Sequence, residues 1–121
     1  MGIAALLLGA SNVLAIDIDK QALIATKENA RKNFIESQIL TVIPEDIPRI
    51  KADIVIANIF INSLIELKEK FIKLMHSKSV LVVTGILDSQ LDFFLENYSP
   101  EFKLLTFKKK NEWCLMEFKK H

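Results

Sequence analysis

The chain has 121 residues, half of them hydrophobic, with 16 basic and 15 acidic side chains. That length makes one domain or a piece of one, with enough apolar material for a real core. The near balance of charge excludes a strong overall field for nucleic acid or an anionic membrane. The single cysteine, Cys114, can neither staple a fold nor build a zinc site, which points to a reducing, cytoplasmic compartment.

The elements follow one rhythm. Ile3–Gly9 reads as the end of a helix with Gly9 as its stop. Its apolar part is too short to span a bilayer and lacks the positive flank of a signal peptide. Asn12–Asp17 is a short continuous apolar run, the mark of a strand buried on both faces. Asp19–Phe34 has helical character, with Asp19 placed to cap it. Gln38–Ile43 is the next strand, and Pro44 and Pro48 bracket a loop. Asp53–Ile59 is the strongest strand. Ser63–His76 reads as a helix opened by a Ser63-x-x-Glu66 capping box, with His76 at its C-terminus in a structural role. Ser79–Thr84 is a buried strand closed by Gly85, and Asp88–Tyr98 is a helix that ends before Pro100. Phe102–Phe107 and Glu112–Phe118 alternate as an antiparallel hairpin around a solvated turn at Lys108, Lys109 and Lys110. Trp113 and Cys114 are expected in the core. Alternating strands and helices define an α/β domain with a mostly parallel sheet and a final antiparallel hairpin.

In such sheets ligands sit outside the carboxyl ends of the strands. Asp17 ends a strand there, and a carboxylate accepts two hydroxyl hydrogen bonds at once, as a ribose requires. From spacing it is equally a helix cap. Asn58 ends the strongest strand with both a donor and an acceptor, suited to a ligand carboxylate or an amine, or simply to a turn. Asp46, between the two prolines, is either a solvated loop acid or an acceptor for an exocyclic adenine amine. His121 has no inferable role. No metal-ligand cluster, Cys/His pair or Ser/His/Asp set is visible, so nucleophilic and metal catalysis have no support in the sequence.

Three segments together resemble the ribosomal-protein methyltransferase (PrmA) family. Ile3–Ala10 followed by Ala15-Ile-Asp17-Ile-Asp19 resembles the stretch after that family's glycine loop. Ala52–Ile59 resembles its signature fourth strand. Thr84-Gly85-Ile-Leu and Asn111-Glu-Trp113-Cys resemble its closing strands. The similarity runs almost end to end and keeps the order of the blocks. It implies a Rossmann-like, S-adenosylmethionine-dependent methyltransferase fold, with residues 1–121 as one partial class I domain. By that resemblance Asp17 contacts the cofactor ribose and Asn58 sits beside the methionine end and the incoming amine; Asp46, from its place in the loop, completes the expected cofactor-binding set. The implied substrate is ribosomal protein L11, on lysine side chains and the N-terminal amine. Ile59-Phe60-Ile61-Asn62 lacks the Pro-Pro-aromatic sequence of enzymes acting on amides and base amines, which counts against a nucleic-acid acceptor. No membrane contact is implied.

In register with the family, the chain starts inside the helix that follows the glycine loop, and Gly2, Gly9 and Gly85 form no loop motif. The central first strand of the family sheet, between the strands ending at Asp17 and Asn58, is therefore expected to be absent. Orphaned buried polar groups cost roughly 1–3 kcal/mol each, so three outcomes are open. The half-sheets close on each other, another polypeptide supplies the strand, or the chain folds poorly. The matching functions are an enzyme fragment that works with a separately encoded N-terminal piece, or a non-catalytic remnant or binding module. A different nucleotide-binding α/β domain leaves the Asn58 and Asn111-Glu-Trp113-Cys segments unexplained.

Overall fold

A computed structural model describes residues 12–32 and 39–121. The helix end read at Ile3–Gly9 lies outside these residues, as does the last part of the first full helix, toward Phe34. The described chain runs β1 (Val13–Asp17), α1 (Lys20–Lys32), β2 (Ile39–Val42), a single 3-10 turn (Pro44–Asp46), β3 (Ala52–Asn58), α2 (Ile61–Leu74) and β4 (Met75–Leu87). A second 3-10 turn (Asp88–Gln90), α3 (Leu91–Tyr98), β5 (Phe102–Lys110) and β6 (Trp113–Lys120) complete it.

The six strands form one sheet in the order β2-β1-β3-β4-β6-β5. The first three pairings are parallel, and β6 runs antiparallel to both β4 and β5. Of the three outcomes expected from the sequence, the described strands show the half-sheets closing up. β1 pairs directly with β3, from Val13 opposite Ile54 to Asp17 opposite Asn58. Asn12 seals the start of this seam. Its backbone carbonyl accepts from the Asp53 N–H at 3.1 Å, its side-chain oxygen accepts from the same N–H at 2.8 Å, and its own N–H donates to the Asp53 carboxylate. Among the described residues no buried side-chain polar atom lacks a partner.

Alternation along β1 sends Leu14 and Ile16 to one face and Val13 and Ala15 to the other. The first face carries the larger core, where α2 and α3 contribute Leu64, Phe71, Phe94 and Tyr98. There Tyr98 stacks on Phe94 and Phe102, with centroids 4.3 and 5.1 Å apart, and its hydroxyl donates to the Leu64 carbonyl at 2.5 Å. The second face holds a smaller cluster of Val13, Ala15, Ile39, Ile56 and Val82.

Four local expectations are corrected. Helix α2 begins at Ile61, with Phe60 at the N-cap and no side-chain cap bond, so Ser63 lies within the first turn and forms no capping box. Strand β4 starts at Met75, which places His76 on a strand. The segment is pinned there by tertiary bonds: the His76 ring to Asp53 at 2.8 Å, and the Ser79 hydroxyl to the Ala52 carbonyl at 2.6 Å. Gly85 does not end β4. The strand continues to Leu87 through an irregularity between Val83 and Ile86, with Gly85 at φ 87°. Finally, Lys108–Lys110 belong to β5, and the hairpin turns at Asn111 and Glu112, where Asn111 adopts φ 56°. Asparagine tolerates that left-handed conformation better than most residues.

Candidate functional site

The carboxyl ends of β1 and β3 lie side by side, and their last residues, Asp17 and Asn58, are register partners. The Asn58 amide donates from Nδ2 to Asp17 Oδ2 at 2.9 Å. The other Asp17 oxygen accepts the Asp19 backbone N–H at 2.8 Å. Asp19 in turn accepts the Gln21 N–H at 2.9 Å and so caps α1, as expected. Capping thus falls to Asp19, while Asp17 turns its carboxylate toward Asn58.

On the far side of Asn58, β4 makes the wall. Asn58 is the register partner of Thr84. A Cβ built on Gly85 would stand 3.0 Å from Asn58 Oδ1 and 3.2 Å from the Ile59 carbonyl. Glycine is therefore needed here twice over, for its positive φ and for the close approach of the Asn58 side chain. Sequence reasoning did not place Thr84 and Gly85 in the site. Their one signal is a small residue pair at the end of a buried strand.

Beyond Gly85 an open cleft of about 750 Å³ is lined by Asn58, Thr84, the Lys108–Lys110 run and the start of β6 at Trp113–Leu115. The lysine run read as a solvated turn thus forms one wall of this cleft. Lys109 pairs with Asp88 at 2.8 Å, and that bond holds its ammonium more firmly protonated than usual. Cys114 is buried as expected, and burial raises its thiol pKa, which keeps it protonated and weakly nucleophilic. Trp113 is a further correction. It is half exposed, because β6 sends Cys114, Met116 and Phe118 inward and the odd positions outward.

Asp46 ends the exposed 3-10 turn just after β2, beyond the same edge of the sheet. His76 lies at the opposite end of β3 from Asn58. Its Nδ1 accepts the Lys78 N–H at 3.1 Å, which leaves Nε2 to face Asp53. It binds the start of β4 to β3 and takes no part in the strand-end site. Among the described residues, no group of three His, Cys, Asp or Glu side chains is placed to hold a metal ion. No described helix is long and apolar enough to cross a membrane.

A parallel α/β sheet whose strand ends present a carboxylate beside an amide belongs to the Rossmann-like class, which receives ligands at that edge. Solved structures agree on the fold. The PH0226 protein of Pyrococcus horikoshii matches with a TM-score of 0.65 at 11% identity, covering 99% of this chain and 77% of its own. Within that class the chain belongs to the ribosomal protein L11 methyltransferase (PrmA) family, whose sequence model matches residues 1–121. The ribosomal protein L11 methyltransferase of Vibrio cholerae serotype O1 is 40% identical over 121 residues, which cover 99% of this chain and 41% of the relative. That of Alteromonas mediterranea is 41% identical over 114 residues, covering 94% and 39%. The crystal structure of a ribosomal protein L11 methylase from Lactobacillus delbrueckii subsp. bulgaricus has a TM-score of 0.75 at 27% identity, covering 99% of this chain and 64% of that one. The chain thus spans about two fifths of the length of these curated relatives.

Proposed function

We propose that residues 1–121 are a partial catalytic domain of an S-adenosylmethionine-dependent protein N-methyltransferase, acting on amines of ribosomal protein L11 in the cytoplasm. The observation that carries this reading is the Asp17–Asn58 pair, 2.9 Å apart at the carboxyl ends of adjacent parallel strands. The two side chains suit the polar parts of the cofactor. The Asp17 carboxylate has lone pairs for both ribose hydroxyls, and the Asn58 amide offers a donor and an acceptor to the amino-acid end. Asp46, at the same edge, suits the exocyclic adenine amine.

S-adenosylmethionine supplies an electrophilic methyl group when bound. The chain's own contribution is placement. The Asn58 carbonyl oxygen, held against Gly85, accepts from an incoming amine and aims its lone pair, and a near-attack geometry supplies much of the barrier reduction. A free lysine amine has a pKa of roughly 10.4, so it must enter neutral. A cleft that excludes water favours that form. No side chain here is assigned as a general base.

Each Asp17 oxygen already accepts one hydrogen bond, from the Asp19 N–H or the Asn58 amide, so a ribose has to share the carboxylate with them. Binding by this chain alone is therefore weak, and a separately made N-terminal portion of the enzyme is the expected partner. The test is transfer of a labelled methyl group from S-adenosylmethionine to ribosomal protein L11, with the chain alone and with the remainder of a related enzyme added. Label is expected only in the mixture, and Asp17→Ala should abolish it. Transfer that survives Asp17→Ala refutes the ribose role. One observation favours a second reading, a non-catalytic remnant: Asp17 and Asn58 are already hydrogen-bonded to each other. Absence of transfer in the mixture, with the chain folded, would select it.

A further inference from the structure

At the opposite edge of the sheet lies a second open cleft, of about 700 Å³. Its walls are the loop leading into β3 and the last turn of α2. Among the described residues, Arg49, Lys51, Lys70 and Lys73 line it together with four apolar residues, Ile50 and Leu74 among them, and no acid. A chain of net charge +1 has thus gathered four described cations at one place.

Helix capping accounts for only part of this. The C-terminal end of α2 presents carbonyls that favour cations. Those carbonyls are served by Lys120, which donates to Ile72 at 3.2 Å and to Met75 at 2.6 Å, and by Lys51, which donates to Met75 at 3.3 Å. Arg49, Lys70 and Lys73 are not needed for that purpose. All three are exposed.

We propose that this cleft docks an acidic, amphipathic segment of a partner protein. The features of the cleft select among anions. A compact phosphate is best held by backbone N–H groups at a helix N-terminus, and the helix end here is the C-terminal one of α2. Single-stranded nucleic acid needs aromatic surfaces for its bases, and among the described residues no aromatic side chain lines the cleft. A peptide that alternates carboxylates with apolar side chains meets both features present. Its carboxylates reach the cationic rim, and its apolar side chains reach the floor, where Ile50 is 41% exposed. The site is remote from Asp17 and Asn58, at the other ends of the strands.

The test is fluorescence anisotropy of the whole chain with a short labelled peptide of alternating glutamate and leucine. Saturable, salt-sensitive binding is expected. Lys70→Glu with Lys73→Glu should weaken it at least about tenfold, on the scale of two surface charge pairs. The control pair Lys27→Glu with Lys32→Glu, on exposed positions of α1, has the same net charge and should leave binding intact. Circular dichroism checks that both variants fold. A glutamate–serine peptide should bind more weakly, because the floor is apolar. Equal weakening by both variant pairs, equal binding of the serine peptide, or tighter binding of a polyuridine RNA would each overturn the proposal. So would displacement of the peptide by millimolar inorganic phosphate at constant ionic strength.

Discussion

Asp17, Asn58 and Gly85 act as one unit, and Gly85 carries a prediction for stability. Gly85→Ala forces a Cβ to within 3.0 Å of the Asn58 amide oxygen at a φ of 87°. A strained backbone position of this kind costs about 1–3 kcal/mol. Urea denaturation should show that loss, and an unchanged midpoint would mean that Gly85 does not brace Asn58. Tyr98 gives an independent check on the core. It is the only tyrosine, it is fully buried, and burial pushes its phenol well above the ordinary range. The folded state therefore keeps a proton that the unfolded chain releases near pH 10. Tyr98's contribution to stability is complete below that pH and declines as pH rises above it. Tyrosinate absorbance should stay absent past pH 10 and appear only with unfolding. In Tyr98→Phe the alkaline loss of stability should be shallower. Tyrosinate forming near pH 10 in the folded chain would contradict the burial.

At the scale of elements, the seam between β1 and β3 makes the strongest claim. If these strands pair as neighbours from Val13–Asp17 to Ile54–Asn58, their ladder amides should exchange with solvent in the same slow class as β4. Fast exchange confined to β1 and β3 would mean two open edges in place of a closed seam. Strands of this kind were legible because burial on both faces demands continuous apolar runs. Val13–Asp17 and Ala52–Asn58 stand within a residue of their sequence-based bounds. Other boundaries depend on distant partners. Helix α2 starts two residues early without a capping side chain, so Ser63 offered a false start signal. Met75–Lys78 are drawn into β4 by Asp53 and Ala52, far away in sequence. The exposure of Trp113 was readable from parity alone, since it cannot share a face with Cys114, its neighbour on the same strand.

Over the whole molecule, the strand ends that carry Asp17 and Asn58 were legible because a doubly wound sheet has one ligand edge. Their bond to each other was not legible, since it depends on β1 and β3 pairing as direct neighbours, with Asp17 opposite Asn58. The cleft wall from Gly85 to Lys110 was hidden for a related reason: the bulge in β4 and the length of β5 are set by packing against β6. The same closure that leaves no buried side chain unpartnered among the described residues holds the two proposed ligand groups against each other. The chain should therefore be a folded body whose strand-end groups are already engaged with each other. Calorimetric titration of the isolated chain with S-adenosylmethionine tests this most directly. Weak or no heat of binding is expected from the chain alone, and binding once the remainder of a related enzyme is added. Low-micromolar binding by the isolated monomer would contradict it.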